Sequence, residues 1–311
     1  MAYSLQEINY RTVADPAEWV KECDAVYYGR VQEAADRIIK NMEKSPIVLL
    51  SGPSGSGKTT TSANIAKELQ KRGVGSHYIG MDDYYKTLDR MTAPRTPEGD
   101  VDFESPELLD MELMNEHFAA LSRGESIDVP GYNFALQQRN PEPSKTVKLQ
   151  KDEVAIFEGI HALNDMITLK HPGAFKLYIS ARSDVEFNGV IVFKRTWFRL
   201  VRRTVRDWKY RGTDPAETMA MWANVRRGEK ANISPFKDKA DFQFDTSLPY
   251  ELAAMNSIAT KLFTDIPEGI ERYDELKEFL PALQLFGEID NGLVPADSLI
   301  REFMGGGIYG D

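Results

Sequence analysis

The run Gly52-Pro53-Ser54-Gly55-Ser56-Gly57-Lys58-Thr59 constrains this chain more than any other feature. It matches the spacing GxxxxGK[ST] and stands between an apolar run, Ile47 to Leu50, and a stretch from Thr59 to Lys71 with helical periodicity closed by Gly73. A short apolar run ending at glycine reads as a buried parallel strand, so the unit is strand, glycine turn, helix. Without side chains in the way, the N–H groups of such a turn can converge on a phosphate, and the positive end of the following helix adds to the field. The residues expected to hold the phosphates of ATP, with GTP left open, are Gly52, Pro53, Ser54, Gly55, Ser56, Gly57, Lys58, Thr59 and Thr60. Lys58 would reach the β and γ phosphates, and Thr59 would offer its hydroxyl to Mg²⁺.

Strands are expected also at His77 to Gly80, Val154 to Phe157, Phe175 to Ile179 and Asp241 to Asp245. Helical patterns cover 16–43 (opened by Asp15-Pro16), Pro106 to Leu121, Val185 to Lys209, Asp214-Pro215 to Arg227, Glu251 to Phe263 and Ile270 to Phe279. This alternation implies an α/β fold, a doubly wound parallel sheet of the P-loop NTPase kind covered on both faces, with helical extensions at both ends. The expected division is an N-terminal helical extension (1–44), a core (45–265) with a lid around 194–235, and a C-terminal helical extension (266–311). Tyr84 to Ser105, with Pro94, Pro97 and Gly99, reads as a long functional loop, and Gly305-Gly306-Gly307 as a frayed tail.

Composition narrows the setting. The 311 residues are 42% hydrophobic and 28% charged, as in a globular protein, and carry a formal net charge of −10. Such a charge opposes nucleic acid and anionic membranes, so neither is expected as a partner. Cys23 is the single cysteine, which forbids an intrachain disulfide and a cysteine metal cluster and points to the cytoplasm. The first residues hold no apolar run, and no apolar stretch is long enough to span a bilayer. The four histidines lack metal-ligand spacing. A homo-oligomer is left open.

A switch GTPase, a motor ATPase and a small-molecule kinase all use such a loop, so the residues beyond it decide among them. Asp82 comes just beyond an expected parallel strand, where ligands of open α/β sheets bind, and a carboxylate there could take the proton of an acceptor hydroxyl. Glu158, at the end of another expected strand, suits a place near Mg²⁺. Arg199, Arg202, Arg203 and Arg206 recur at three- and four-residue spacing, so one helical face can offer several guanidinium groups to a polyphosphate. Trp197, Phe198 and Trp208 nearby keep a second reading in play, stacking on nucleic-acid bases.

GPSGSGKTT, MDDYY, DFESP, VPGYNF with Arg139, IFEGI, and RRTVRD followed by RG occur in this order over roughly residues 46 to 250. Together they resemble the uridine kinase and phosphoribulokinase family of P-loop kinases, and the terminal extensions resemble a bacterial uridine-kinase-like branch. The resemblance implies that Asp82 is the catalytic base, that Tyr85 contacts the substrate and that Glu104 holds sugar hydroxyls. It implies that Tyr132 and Arg139 belong to a hairpin covering a nucleoside, that Glu158 lies near Mg²⁺, and that lid arginines, Arg203 and Arg206 first and Arg211 next, close over the nucleotide. Pyrimidine kinases of the family carry YDF and then a histidine that reads the base. Here Tyr132-Asn133-Phe134 is followed by Gln137 in that place, a side chain able to donate and accept hydrogen bonds. The expected activity is transfer of the ATP γ-phosphoryl group to a hydroxyl of a small metabolite, foremost the 5′-hydroxyl of a nucleoside. The alternatives are another alcohol, such as a sugar phosphate or a pantothenate-like acid, and a nucleotide-dependent RNA-binding ATPase.

Overall fold

Consecutive side chains of a strand point to opposite faces, and in Ile47-Val48-Leu49-Leu50 both faces are apolar. Val48 and Leu50 accordingly join one buried cluster and Ile47 and Leu49 a second, which places this strand in the middle of a sheet covered on both sides. The computed structural model describes residues 2–270 and 273–308. In chain order its first half comprises β1 (Ala2–Ser4), α1 (Leu5–Ala14), α2 (Pro16–Asn41), β2 (Ile47–Ser51), α3 (Lys58–Lys71), β3 (Gly75–Gly80), α4 (Met111–Ser122), β4 (Ile127–Val129), β5 (Tyr132–Asn133), β6 (Gln138–Arg139) and β7 (Lys145–Val147). The second half comprises β8 (Glu153–Glu158), α5 (Asp165–Thr168), β9 (Phe175–Ser180), β10 (Asp184–Phe187), β11 (Val190–Phe193), α6 (Arg195–Arg211), α7 (Pro215–Asn232), β12 (Phe242–Asp245), α8 (Glu251–Thr264), α9 (Tyr273–Leu283) and α10 (Arg301–Met304).

The central sheet has the order β12-β9-β2-β8-β3, and every pair is parallel. The chain leaves β2 for the edge strand β3, returns to β8 and crosses to β9, so the strand order reverses at β2. A crevice opens at that reversal beyond the carboxyl ends of the strands, the usual ligand position in an open α/β sheet. The turn 52–57 and Asp82 both come after strands at this end.

The terminal helices belong to the same packing. Trp19, Tyr27 and Ile38 of α2 and Ile300 and Phe303 near the C-terminus share one apolar cluster with the sheet and with Ile65 and Leu69 of α3. Tyr27 donates to Thr61 Oγ1 at 3.1 Å, and Arg30 donates to the Asp245 carbonyl at 2.7 Å.

Four expectations about elements change. Residues 185–193 are not helical: β10 and β11 form an antiparallel hairpin turned at Asn188 and Gly189, whose φ angles of 51° and 80° are those an Asn-Gly turn supplies. The helix starts only at Arg195. The helix expected over 106–121 is interrupted, because Asp110 caps α4 by accepting from the Leu113 amide at 3.1 Å. The helix expected from Ile270 falls partly on Glu271 and Arg272, outside the described residues, and α9 begins at Tyr273. The terminal glycines do not simply fray: Gly305 is buried, its amide donating to the Arg301 carbonyl at 2.8 Å, while Gly306 and Gly307 are exposed.

Candidate active site

The glycine turn is shaped by its surroundings. A Cβ at Gly52 would collide with the Ile179 carbonyl of β9, and Gly55 and Gly57 hold φ angles of 74° and 81°, in the left-handed region that favours glycine. Gly57 sits directly before α3, so the first amides of that helix open towards the crevice. The crevice is a cleft of about 410 Å³ lined by Ser54, Gly55, Ser56, Gly57, Lys58 and Thr59 from the turn. Asp82, Tyr85, Glu104, Tyr132, Gln137, Glu158, Arg203, Arg206 and Arg211 line it too. Residues far apart in the chain thus meet around one space.

Four of the expected contact residues do not line the cleft. Gly52 and Pro53 are buried beneath the turn, Gly52 against β9. Thr60 is buried as well, and its amide donates to Glu302 Oε2 at 3.1 Å. Arg139, expected to touch substrate, spends its guanidinium elsewhere: it donates to Asp110 at 2.8 Å, to the Tyr84 carbonyl at 2.9 Å and to the Tyr85 carbonyl at 3.3 Å. Its place is to brace the segment that carries Tyr85. Sequence reasoning also missed wall residues, among them Lys86, Leu88, Phe103, Phe134, Ile160 and Glu302. Phe134 stood within the quoted VPGYNF, but no local pattern marks Glu302.

Charge is arranged in two groups. On the turn side, Lys58 Nζ stands 3.7 Å from Glu158 Oε1, and Tyr78 donates to Glu158 Oε2 at 2.8 Å. On the α6 side, Asp207 is buried and faces three arginines: Arg206 at 2.7 Å, Arg203 at 3.3 Å and Arg211 at 3.4 Å. Arg203 also donates to Ser54 Oγ at 2.9 Å, joining α6 to the glycine turn. Arg199 and Arg202, expected on the same phosphate-facing side, are buried ion-pair residues instead. Arg199 pairs with Glu229, and Arg202 donates to Glu251 Oε1 at 2.9 Å in a pair without solvent exposure. Their spacing is helical, but the helix turns them into the core. Trp197 and Phe198 are likewise buried, so they present no face for stacking on nucleic acid.

Two carboxyls of the cleft are shifted. Asp82 opens to water in the cleft, yet enclosure by the surrounding walls pushes its pKa up to about 6, with Glu158 adding to the rise and Lys58 opposing it. Burial likewise lifts Glu104 to about 6, and the nearby Arg203 opposes the shift. Glu104 is pressed against Gly228 of α7, where any Cβ would overlap the glutamate side chain. In the same cleft, Tyr85, whose hydroxyl feels both acids, meets Tyr132 and Phe134, the three rings at centroid distances of 5.0 to 6.2 Å. Gln137 closes the β5–β6 turn at a φ of 54°, and its side chain accepts from Arg90 at 3.2 Å.

Mg²⁺ bound with a nucleotide takes one or two protein oxygens, the rest of its shell being phosphate and water. The hydroxyl-bearing Thr59 and the carboxylate of Glu158, both on the cleft wall, fit that donor set. Among the described residues no group of three or more His, Cys, Asp and Glu could hold a metal unaided. No helix among them is long and apolar enough to cross a membrane.

A glycine turn ahead of a helix at the switch point of a parallel sheet, with carboxylates lining the same cleft, is a P-loop arrangement, and the family match makes it that of a P-loop kinase. Residues 47–252 match the Phosphoribulokinase / Uridine kinase family, and the chain belongs to that family. It is an ATP-dependent phosphotransferase acting on a small metabolite. The uridine kinase of Staphylococcus haemolyticus is 30% identical over 201 residues, spanning 64% of this chain and 87% of that protein. That of Macrococcus caseolyticus is 29% identical over the same shares of the two chains. Among solved structures, a D-glycerate 3-kinase of Cryptococcus neoformans overlaps at TM-score 0.35 and 15% identity, covering 83% of this chain and 88% of that one. That overlap is too loose to bear on function. The matched segment leaves out α1, α2 and almost everything from α8 onward.

Proposed function

We propose that the acceptor is a nucleoside, phosphorylated on its 5′-hydroxyl by ATP. The observation that carries this reading is the make-up of the cleft lining: three mutually contacting aromatic rings, Tyr85, Tyr132 and Phe134, share it with the carboxyls of Asp82 and Glu104, each close enough to influence both Tyr85 and Lys58 of the glycine turn. A planar base suits the rings and a ribose suits the carboxyls, which accept hydrogen bonds from hydroxyl groups. The family resemblance supports the same assignment.

Each role comes from position. The turn amides from Ser54 to Thr59 hold the phosphate chain and the Lys58 ammonium reaches its β and γ phosphates, converging partial and full positive charge on them. Thr59 and Glu158 would hold Mg²⁺, which when bound neutralises charge on the phosphate chain. Asp82 orients the acceptor hydroxyl and accepts its proton, and a carboxyl with a pKa near 6 is ionised for this at neutral pH. Arg203 and Arg206, held by Asp207, face the transferred group, and Arg211 completes the lid. Together they exclude water, which would otherwise consume ATP.

Lys86 favours a second reading. It adds a cation to the acceptor side of the wall, as an acceptor carrying its own phosphate or carboxylate would require. One experiment separates the two: incubate the enzyme with ATP, Mg²⁺ and a panel of nucleosides, sugar phosphates and hydroxy acids, and identify products by mass spectrometry. A nucleoside 5′-monophosphate is the expected product; phosphorylation only of anionic alcohols would replace the nucleoside by the second class.

A further inference from the structure

The one acidic side chain that reaches the glycine turn from outside the family-matched segment, among the described residues, is Glu302. It sits on the short helix α10 and accepts from the Thr60 amide at 3.1 Å. That amide belongs to the first turn of α3, immediately after Gly57-Lys58-Thr59, where the backbone donors of such a loop address the α and β phosphates. Glu302 also lines the cleft. A carboxylate therefore stands where this fold offers its donors to phosphate.

The segment carrying it is firmly seated. Leu299, Ile300 and Phe303 are fully buried, and a Cβ at Gly57 would come within 2.6 Å of Leu299 Cδ1. Lys209 donates to the Met304 carbonyl at 2.8 Å, and the Ser298 hydroxyl lies 2.6 Å from Tyr250 Oη, which donates to Asp24 of α2. These contacts leave the Glu302 side chain, not the backbone of the segment, as the part free to move. Two anions cannot share one amide in a partly enclosed cleft without a large repulsive cost.

We propose that Glu302 is an affinity-setting residue of the nucleotide site: its carboxylate competes with the phosphate chain for the Thr60 amide and must swing away when nucleotide binds. The C-terminal extension thereby weakens nucleotide binding by a fixed factor. Because the contested donor addresses the α and β phosphates, ATP and ADP are affected alike.

This rests on the reading of the glycine turn, Ser54 to Thr59, as the phosphate cradle, extended here to the next amide of α3, which Glu302 covers, and the test separates the two. Dissociation constants for Mg·ATP and Mg·ADP are measured by calorimetry, without acceptor, on the full chain and on Glu302→Gln, Glu302→Ala and Lys58→Ala. Removing a charge that competes through a charge-assisted hydrogen bond should tighten both nucleotides about tenfold in each Glu302 variant. Unchanged or weaker binding in both Glu302 variants, with Lys58→Ala impaired, overturns the proposal and leaves the cradle standing. If Lys58→Ala binds as well as the unaltered chain, the cradle reading falls and the proposal with it. A thermal melt of each variant separates lost affinity from lost fold.

Discussion

Lys58 Nζ lies 3.7 Å from Glu158 Oε1, with both side chains largely shielded from solvent. The cation of the glycine turn and the carboxylate at the end of β8 therefore hold each other across the floor of the cleft, one strand apart in the sheet. Tyr78 fixes the second oxygen of that carboxylate at 2.8 Å. The proposed phosphate cradle and the proposed Mg²⁺ position are thus coupled before any ligand enters.

Replacing Lys58 with Ala should lower turnover by about 10²–10³ or more, the scale of losing one preorganised donor to a developing charge. Glu158→Gln should instead raise the Mg²⁺ concentration needed for half-maximal rate. Steady-state rates across a Mg²⁺ titration distinguish the two; an unchanged Mg²⁺ requirement in Glu158→Gln would remove that residue from the metal position.

Asp82→Asn should cut kcat by about 10² or more while leaving the ATP dissociation constant nearly unchanged. In the unaltered enzyme the base must be ionised, so kcat/KM should be level at neutral pH and fall as pH drops through about 6. Glu104 has a similar raised value, so the fall can be steeper than a single proton requires. Stability runs the other way. A carboxyl whose folded pKa lies above its unfolded one binds more protons when folded, so the ligand-free protein should gain stability as pH falls from about 6 towards the ordinary carboxylate range. A kcat/KM that stays flat down to pH 5, about one unit below the shifted value, would contradict an ionised Asp82 as base.

Gly228→Ala should act on the acceptor and spare the nucleotide. The added methyl would overlap the Glu104 side chain, displacing it from the cleft wall. The acceptor KM is expected to rise about tenfold, the scale of a misplaced hydrogen-bonding group, with ATP affinity measured in parallel as the control. Equal loss of both affinities would indicate general disruption of α7.

The arginines of α6 should sort into two kinds. Arg202→Ala leaves Glu251 buried without its cation, a loss of about 3–5 kcal/mol, visible as a lowered urea midpoint. Arg206→Ala should leave stability close to unaltered and reduce turnover. Asp207→Asn, which releases Arg203, Arg206 and Arg211 together, should reduce both. If Arg202→Ala melts normally but Arg206→Ala unfolds the protein, the division between core and cleft arginines is reversed.

The sheet was legible from sequence because its signals are local. The segments expected as strands at 47–50, 77–80, 154–157 and 175–179 lie inside β2, β3, β8 and β9, and the one at 241–245 coincides with β12 to within one residue. A buried strand needs only its own short run and its flanking turns to announce itself. The glycine turn was legible for the same reason, since strand, turn and helix are contiguous. The hairpin at 184–193 escaped because its Asn188-Gly189 turn lies inside a run that also fits helical spacing.

The parallel sheet, the turn at its centre and the acidic residue after the second strand are therefore determined by the sequence alone. The tertiary structure decided which arginines of one helix face the cleft and which are neutralised in the core, because a three- and four-residue spacing says they share a side but not what that side meets. It also decided that Arg139 braces the Tyr85 segment and that Glu302 reaches an amide 242 positions away in the chain. Contacts of that separation depend on how the C-terminal segment packs on α2, α6 and α8, and packing of distant elements leaves no pattern in any single stretch of sequence.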